Sequence, residues 1–337
     1  MYLYNIITKV LFLIFFNLLI QIPFNFKFKS SIHLFPIPNL IHIPIAFAIN
    51  DLFTYPLIVL LTSILYNSKP STFYFFHIMI PDNFLEENRN KINGLCKKYD
   101  KCKIIFLNMG EKYKNWKTNI GYYPITVFYR LSLSDLIKDF NKIIYLDCDT
   151  MVHGDLTDFY NIEMGDSYYM GFPGHEVGYL EINGTRNFIN SGVMLLNLEM
   201  LRKVNASLLF DNYYYTYGTT KVDEYLINVI FYNKISFLPF KYGIPDFEKG
   251  QPIADSPSFF WRTLNGYSNG TEEEMIWGSN NRVITHGAYR MDKWWTRNYD
   301  SLSEIGKKWI YYASKSNVFN DICNKYIQYL STCSKLK

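Results

Sequence analysis

Asp147 and Asp149, with Cys148 between them, sit inside the stretch NKIIYLDCDTMVHGDL that runs from Asn141 to Leu156. Like charges a few ångströms apart oppose each other's ionisation, so such a pair is costly unless something positive neutralises it. Carboxylate oxygens suit magnesium or manganese, and these ions keep coordination positions open for substrate phosphates. A bare pair at this spacing is more often two solvated turn residues. The residues before it argue for a site, because Ile143 to Leu146 is charge-free, β-branched and aromatic, the composition of a buried strand. At the carboxyl end of a strand in an open α/β sheet, side chains reach a ligand lying in the crevice.

The elements that must position this pair are legible upstream and downstream of it. IPIAFAIN, Ile43 to Asn50, reads as a first buried strand, DLFTYP as a turn and LIVLLTSILYNSK as an apolar helix. STFYFFHIMIP is a second strand, NFLEENRNKINGLCKKYD an amphipathic helix and CKIIFLNM a third strand. Strands alternating with helices imply right-handed crossovers and a mostly parallel sheet. A helix is expected from about Thr126 to Phe140, carrying Arg130 in an apolar surround. A snorkelling surface residue is the ordinary reading of such an arginine; on the helix leading to the aspartates it can also reach an anionic ligand. SYYMGFPG reads as a short strand, and NFINSGVMLLNLEMLRK as a Gly-centred turn entering an apolar run and a helix. KVDEYLINVIFYN is helical, with Asp223 and Glu224 near its amino end, where the helix dipole tolerates acids. ISFLPFKYGI and NRVITHGAY are late strands, the second ending at His286, and one or two helices follow Asp300.

Hydrophobic residues make up 49% of the 337 and charged residues 19%, which describes a core former rather than a disordered chain. The net charge of +4 is spread without a long basic block, which gives nucleic-acid binding no support. Val10 to Phe26 is 17 residues without a charge, flanked by Lys9, Lys27 and Lys29. About 17 to 25 apolar residues cross a bilayer, and no small-x-small cleavage site follows. Residues 1–28 therefore read as a signal anchor, with a cleaved signal peptide as the alternative, and the Pro-punctuated residues 29–42 as a stem. Sequons at Asn183, Asn205 and Asn269 favour a body on the luminal side. The expectation is a single-pass type II membrane protein of the Golgi or endoplasmic reticulum, or a secreted form if the segment is cleaved. Cys96 and Cys102 are close enough in sequence to pair, as are Cys323 and Cys333, which leaves Cys148 alone. No spacing of Cys or His suggests zinc.

Several of these segments, in order, resemble the retaining glycosyltransferases of family 8, from about Ile43 to Trp295. AINDLFTYPLIVLLTSIL is similar to the family's uridine-binding start, VFYRLSLSDLI to its arginine-bearing helix and YLDCDTMV to its manganese D-x-D. FINSGVMLLNL, DEYLIN and THGAYRMDKWW resemble its later motifs. The resemblance implies a GT-A-like α/β sandwich over residues 43–299, with a mostly parallel central sheet and helices on both faces, and a helical extension over 300–337. It implies Mn2+, or Mg2+, held by Asp147, Asp149 and His286. It also implies a UDP-sugar donor contacted by Ala48, Asn50, Phe53, Arg130, Asp147, Cys148, Asp149, Gly287 and Lys293, with Asn190, Asp223 and Glu224 at the reacting sugar. The implied activity is transfer of galactose or glucose to a glycan, glycoprotein or glycolipid acceptor with retention. Phe53 stands where the family often has a uracil-stacking tyrosine, a role that needs only a ring face. Lys293 would place a point charge on the diphosphate.

Two departures matter. Glu224 stands where the family usually carries Gln, which makes a covalent route through a carboxylate nucleophile conceivable beside a front-face route in which Glu224 acts electrostatically. His286 and Lys293 are seven apart rather than the family's six, and Trp294 replaces a proline, so this loop must be shaped differently. A haloacid dehalogenase-like phosphatase also opens with a strand entering D-x-D. It needs a threonine two residues past the second aspartate, where this chain has Met151. A catalytically dead, membrane-anchored glycan-binding protein is the other alternative.

Overall fold

The structure, a computed structural model, describes residues 40–117, 124–173, 188–218, 222–246, 272–287, 293–296 and 302–326. The chain opens with β1 (Ile41–Ala48), a 3-10 turn (Asp51–Phe53), α1 (Thr54–Tyr66), β2 (Thr72–Ile80), α2 (Glu86–Tyr99) and β3 (Cys102–Asn108). A 3-10 helix (Ile125–Ser132), α3 (Leu133–Leu136), β4 (Lys142–Leu146), β5 (Thr150–Val152), α4 (Thr157–Tyr160) and β6 (Tyr169–Pro173) follow. Then come β7 (Ile189–Asn197), α5 (Leu198–Lys203), α6 (Ala206–Tyr217), α7 (Asp223–Ile230), β8 (Ile235–Phe237) and β9 (Tyr242–Pro245). The last are α8 (Glu272–Asn280), β10 (Ile284–His286), a 3-10 turn (Trp294–Thr296), α9 (Glu304–Lys315) and α10 (Phe319–Lys325).

Seven strands form the main sheet in the order β3-β2-β1-β4-β7-β6-β8. β1, β2, β3 and β4 pair in parallel, as do β6 and β8, while β7 runs antiparallel to both β4 and β6. The period-two alternation of each central strand divides the core. Ile43, Ile45, Phe47, Ile144, Leu146, Val193 and Leu195 face one layer, with α1 and α9. Ala46, Ile143, Tyr145, Met194 and Leu196 face the other, with the 3-10 helix at 125–132, α6 and α7. Each fully buried Leu or Ile in these layers contributes about 1.5–3 kcal/mol relative to exposure. Helices therefore cover both faces of a mostly parallel sheet, the arrangement anticipated from the alternating pattern.

The second sheet, β5-β10-β9, is what builds the site. β5 starts at Thr150, immediately after the aspartate pair, and its antiparallel register sets His286 opposite Thr150. β10 in turn pairs in parallel with β9. On the main sheet, Leu146 pairs with Val193, and Asp147 N donates to Gly192 O at 2.8 Å.

Several local expectations are corrected. The segment expected as a helix from Thr126 to Phe140 is a 3-10 helix followed by one short α turn, and Ile137 is already extended. Residues around Gly192 form no turn, because β7 runs straight through them and the glycine serves a close approach described below. ISFLPFKYGI is two strands on different sheets, divided at Pro239. Cys96 and Cys102 form a disulfide between the end of α2 and the start of β3. Cys323 is also disulfide-bonded, and its expected partner Cys333 lies outside the described residues. Asn205 is exposed, but the Ser207 hydroxyl of its sequon is buried and donates to Leu131 O; Asn183 and Asn269 lie outside the described residues.

The membrane placement is corrected as well. Among the described residues no helix is long and apolar enough to cross a membrane. The most apolar long helix, α1, has 13 residues, which at about 1.5 Å per residue falls well short of a bilayer core of roughly 30 Å. Its side chains are spent on the protein interior. The segment from Val10 to Phe26, on which the type II, luminal reading rested, lies outside the described residues.

Candidate metal and nucleotide site

Strand β4 ends by delivering Asp147 and Asp149 to the rim of a cleft lined by Ala48, Phe53, Pro124, Thr126, Val127, Arg130, Asp147, Cys148, Asp149 and Lys293. Seven of these ten are residues singled out from the sequence. Pro124, Thr126 and Val127 were not, because their apolar and hydroxyl side chains carry no signal that distinguishes a cleft wall from a core.

Asp147 is held by buried partners. Arg130 Nη2 and the Tyr145 hydroxyl both donate to its Oδ1, each at 2.9 Å. Arg130 is 5% exposed, donates through Nη1 to Ser191 O at 2.6 Å, and lies over the Tyr145 ring with its guanidinium carbon 4.3 Å from the centroid. Burial works against its charge, but Asp147 and Asp223 outweigh burial and hold its pKa above the ordinary arginine value. The guanidinium expected to reach an anionic donor is thus engaged with the chain's own carboxylates. Asp223, expected at the sugar hydroxyls, is 2% exposed, with Oδ2 3.1 Å from Arg130 Nε. Burial, opposed by Arg130, raises its pKa to about 6.

Asp149 is held differently. Its Oδ2 accepts from Lys293 Nζ at 2.6 Å, and its Oδ1 lies 3.3 Å from His286 Nε2. Burial raises its pKa, yet Lys293 and His286 together override burial and hold it well below the usual carboxylate range. Lys293 Nζ also donates to Gly287 O at 3.0 Å, and Gly287 N donates to Asp149 O at 2.6 Å. Cys148 is buried, and burial raises the pKa of its thiol well above the free value.

One ligand atom from each of Asp147, Asp149 and His286 lies within 4.8 Å of the others. Two carboxylates and one imidazole suit a divalent cation of the manganese or magnesium type. The backbone has been cut back to make room: a Cβ on Gly192 would fall 2.2 Å from His286 Cε1, 2.5 Å from His286 Nε2 and 2.9 Å from Asp147 Oδ2. A glycine is required here by proximity to the cluster, not by backbone angle. The residues present therefore fit such an ion.

Next to this cluster, Glu224 Oε2 accepts from Asn190 Nδ2 at 2.9 Å and from Ser191 N at 3.0 Å, and Asn190 Oδ1 accepts from Gly192 N at 2.9 Å. The start of α7 is thereby tied to β7 and, through Ser191, to Arg130. Asn50 uses its side chain to cap the 3-10 turn, accepting from Leu52 N at 3.1 Å, and Phe53 meets Trp295 edge-on at 6.4 Å. The Thr150 hydroxyl donates to Asp147 O at 2.7 Å, which braces the turn between the two aspartates.

The comparisons with known proteins fall on this same scaffold. A putative glycosyltransferase of Haemophilus influenzae is 28% identical over 194 residues, covering 54% of this chain and 57% of that protein. The lipopolysaccharide 1,2-glucosyltransferase of Escherichia coli is 26% identical over 220 residues, 61% of this chain and 63% of that one. The chain thus spans less than two thirds of either relative. Both relatives are bacterial proteins. Among solved structures, the galactosyltransferase LgtC in complex with donor and acceptor sugar analogues superposes with a TM-score of 0.65 at 21% identity, over 82% of this chain and 96% of that one. The fold is accordingly GT-A-like, and neither the phosphatase nor the glycan-binding alternative is favoured. The sequence pattern of Glycosyl transferase family 8 matches residues 44–245, more than half of the chain and the part that carries β1, the aspartate pair, Asn190 and Glu224, so the chain belongs to that family.

Proposed function

We propose that the chain moves a hexose, galactose or glucose, from a UDP-sugar to a glycan, protein or lipid acceptor with retention of configuration, in a reaction that depends on Mn2+ or Mg2+. The observation that carries this reading is the convergence of Asp147, Asp149 and His286 against Gly192. A divalent ion bound there supplies Lewis-acid stabilisation of the departing nucleoside diphosphate. Lys293, at the same rim, adds a second positive charge to that leaving group. Phe53 offers a ring face to the base, with Ala48 and Asn50 beside it at the end of β1. Arg130 fixes Asp147 and neutralises it permanently, while Asp223 fixes Arg130 from its other side. Glu224, oriented by Asn190 and Ser191, is held to act electrostatically on the positive charge that develops at the sugar, and Gly287 braces Asp149 and Lys293 through its backbone. The names of the E. coli glucosyltransferase and of LgtC support a hexose donor.

Calorimetric titration of UDP with and without Mn2+ tests this reading. Manganese is expected to tighten UDP binding by about tenfold or more, equivalent to ~1.4 kcal/mol, and Asp149→Asn is expected to abolish that increment. Equal UDP affinity in both conditions would overturn it.

A further inference from the structure

Trp294 follows Lys293 directly in the chain, and the structure shows what its indole does. Trp294 is 1% exposed, and its Nε1 donates to Asp246 Oδ2 at 2.7 Å. Asp246, at the end of β9 and 3% exposed, also accepts from the Ser303 hydroxyl at 3.0 and 2.9 Å. Ser303 is the N-cap of α9, its Oγ accepting from Gly306 N at 2.9 Å. Asp246 N donates to His286 O at 3.0 Å. One buried carboxylate thus joins three segments: the strand pair ending at His286, the turn that begins at Lys293, and the first turn of α9. Gly306 leaves room for the ring, and Gly287 touches its far edge at ordinary contact distance. A Cβ on Gly287 would lie 3.5 Å from Trp294 Cζ2, and one on Gly306 would lie 3.1 Å from Trp294 Cδ1.

The indole of Trp294 is part of the core, but filling that space requires no carboxylate. Burying a carboxylate is costly unless its hydrogen bonds are met, and an apolar residue would fill the space under Trp294 without that cost. What the carboxylate adds is direction, because an indole N–H bonded to a fixed acceptor has one orientation. Lys293 is the residue next to that indole, and its ammonium reaches Asp149 Oδ2 at the cleft.

We propose that Asp246 is a positioning residue, which by holding the Trp294 indole sets where Lys293 presents its ammonium to the donor's diphosphate and ties α9 into that site. The proposal rests on the diphosphate role of Lys293 given above.

A double-mutant cycle read by UDP affinity in the presence of Mn2+ tests it, using Trp294→Phe, Lys293→Ala and the two combined. Trp294→Phe keeps a ring and deletes the donor. It is expected to weaken UDP binding about fivefold, the size of one net hydrogen bond, and Lys293→Ala about tenfold or more. The combined variant should bind within about twofold of Lys293→Ala alone, because residues acting through one another are not additive. Wild-type affinity in Trp294→Phe, or penalties that multiply in the combined variant, would overturn the proposal while leaving the diphosphate role intact. Wild-type affinity in Lys293→Ala would overturn that role and the proposal with it. If Trp294→Phe does not give a cooperative thermal transition, Asp246→Asn goes through the same cycle with the same two outcomes.

Discussion

Asp147 and Asp149 are two residues apart on one strand end, yet they are neutralised in opposite ways. Asp147 has a cation that never leaves: Arg130 is 5% exposed, locked to Ser191 and covered by the Tyr145 ring. Asp149 has Lys293, which is 29% exposed and belongs to a turn far along the chain. A buried guanidinium with several fixed acceptors is part of the fold, whereas an ammonium on a flexible stem is a point charge that can be exchanged. The difference divides the labour between the two carboxylates of the candidate site. One carboxylate is pre-oriented by the core, and the other is kept charged by His286 and by Lys293, which lines the cleft.

The largest test of this contrast removes each cation in turn. Arg130→Met leaves Asp147 and Asp223 without their shared partner in a buried setting. It is expected to destabilise the fold by about 3–5 kcal/mol at neutral pH, with the loss shrinking as the pH falls and Asp223 protonates. Lys293→Met should cost less than that, since Lys293 is 29% exposed and His286 still faces Asp149. Chemical denaturation of the two variants side by side checks this. Equal losses would erase the distinction drawn between the two aspartates.

The two halves of the site were also unequally legible in the sequence. The strand before Asp147 announced itself by its composition, and the βαβ alternation gave the sheet. The family resemblance then nominated His286 and Lys293, which local patterns alone would have passed over. What stayed hidden depended on contacts between distant segments. Gly192 read as a turn because glycine in an apolar run usually is one, and its purpose is visible only once His286 arrives from β10. That Asp147 and Asp223 also engage Arg130, which lines the cleft, could not be read from the sequence. Asp246 had no signal at all, since its partners Trp294 and Ser303 are 48 and 57 residues away.

A second test sharpens the claim that Arg130 belongs to Asp147. The guanidinium is shared with Asp223, whose folded pKa is raised to about 6, from roughly 3.9 in an unfolded chain. The sign follows from proton linkage. Between those values the folded state binds more protons than the unfolded state, so this group's contribution to stability is fullest below about pH 4 and is lost as the pH rises through about 6. Asp223→Asn removes that loss. It is expected to stabilise the protein at pH 7.5 by up to about 3 kcal/mol relative to wild type, with the advantage gone by pH 4. Melting temperatures across that range give the answer, and an advantage that does not vary with pH would assign the effect to packing instead.

The smallest expected effect separates orientation from charge at Asp147. Tyr145 and Arg130 both donate to Oδ1, which leaves Oδ2 turned toward the Gly192 side of the cluster. Burial, opposed by Arg130, pushes the pKa of Tyr145 far above its ordinary value, so the hydroxyl stays a donor at any working pH. Tyr145→Phe keeps the ring beneath the guanidinium and deletes one hydrogen bond. Arg130 still neutralises the carboxylate, so the fold should lose only about 1 kcal/mol. The ligand oxygen is less firmly aimed, and Mn2+ affinity measured by electron paramagnetic resonance should fall about three- to tenfold. Unchanged manganese affinity would mean that the guanidinium alone aims Asp147, and the hydroxyl would then serve stability only.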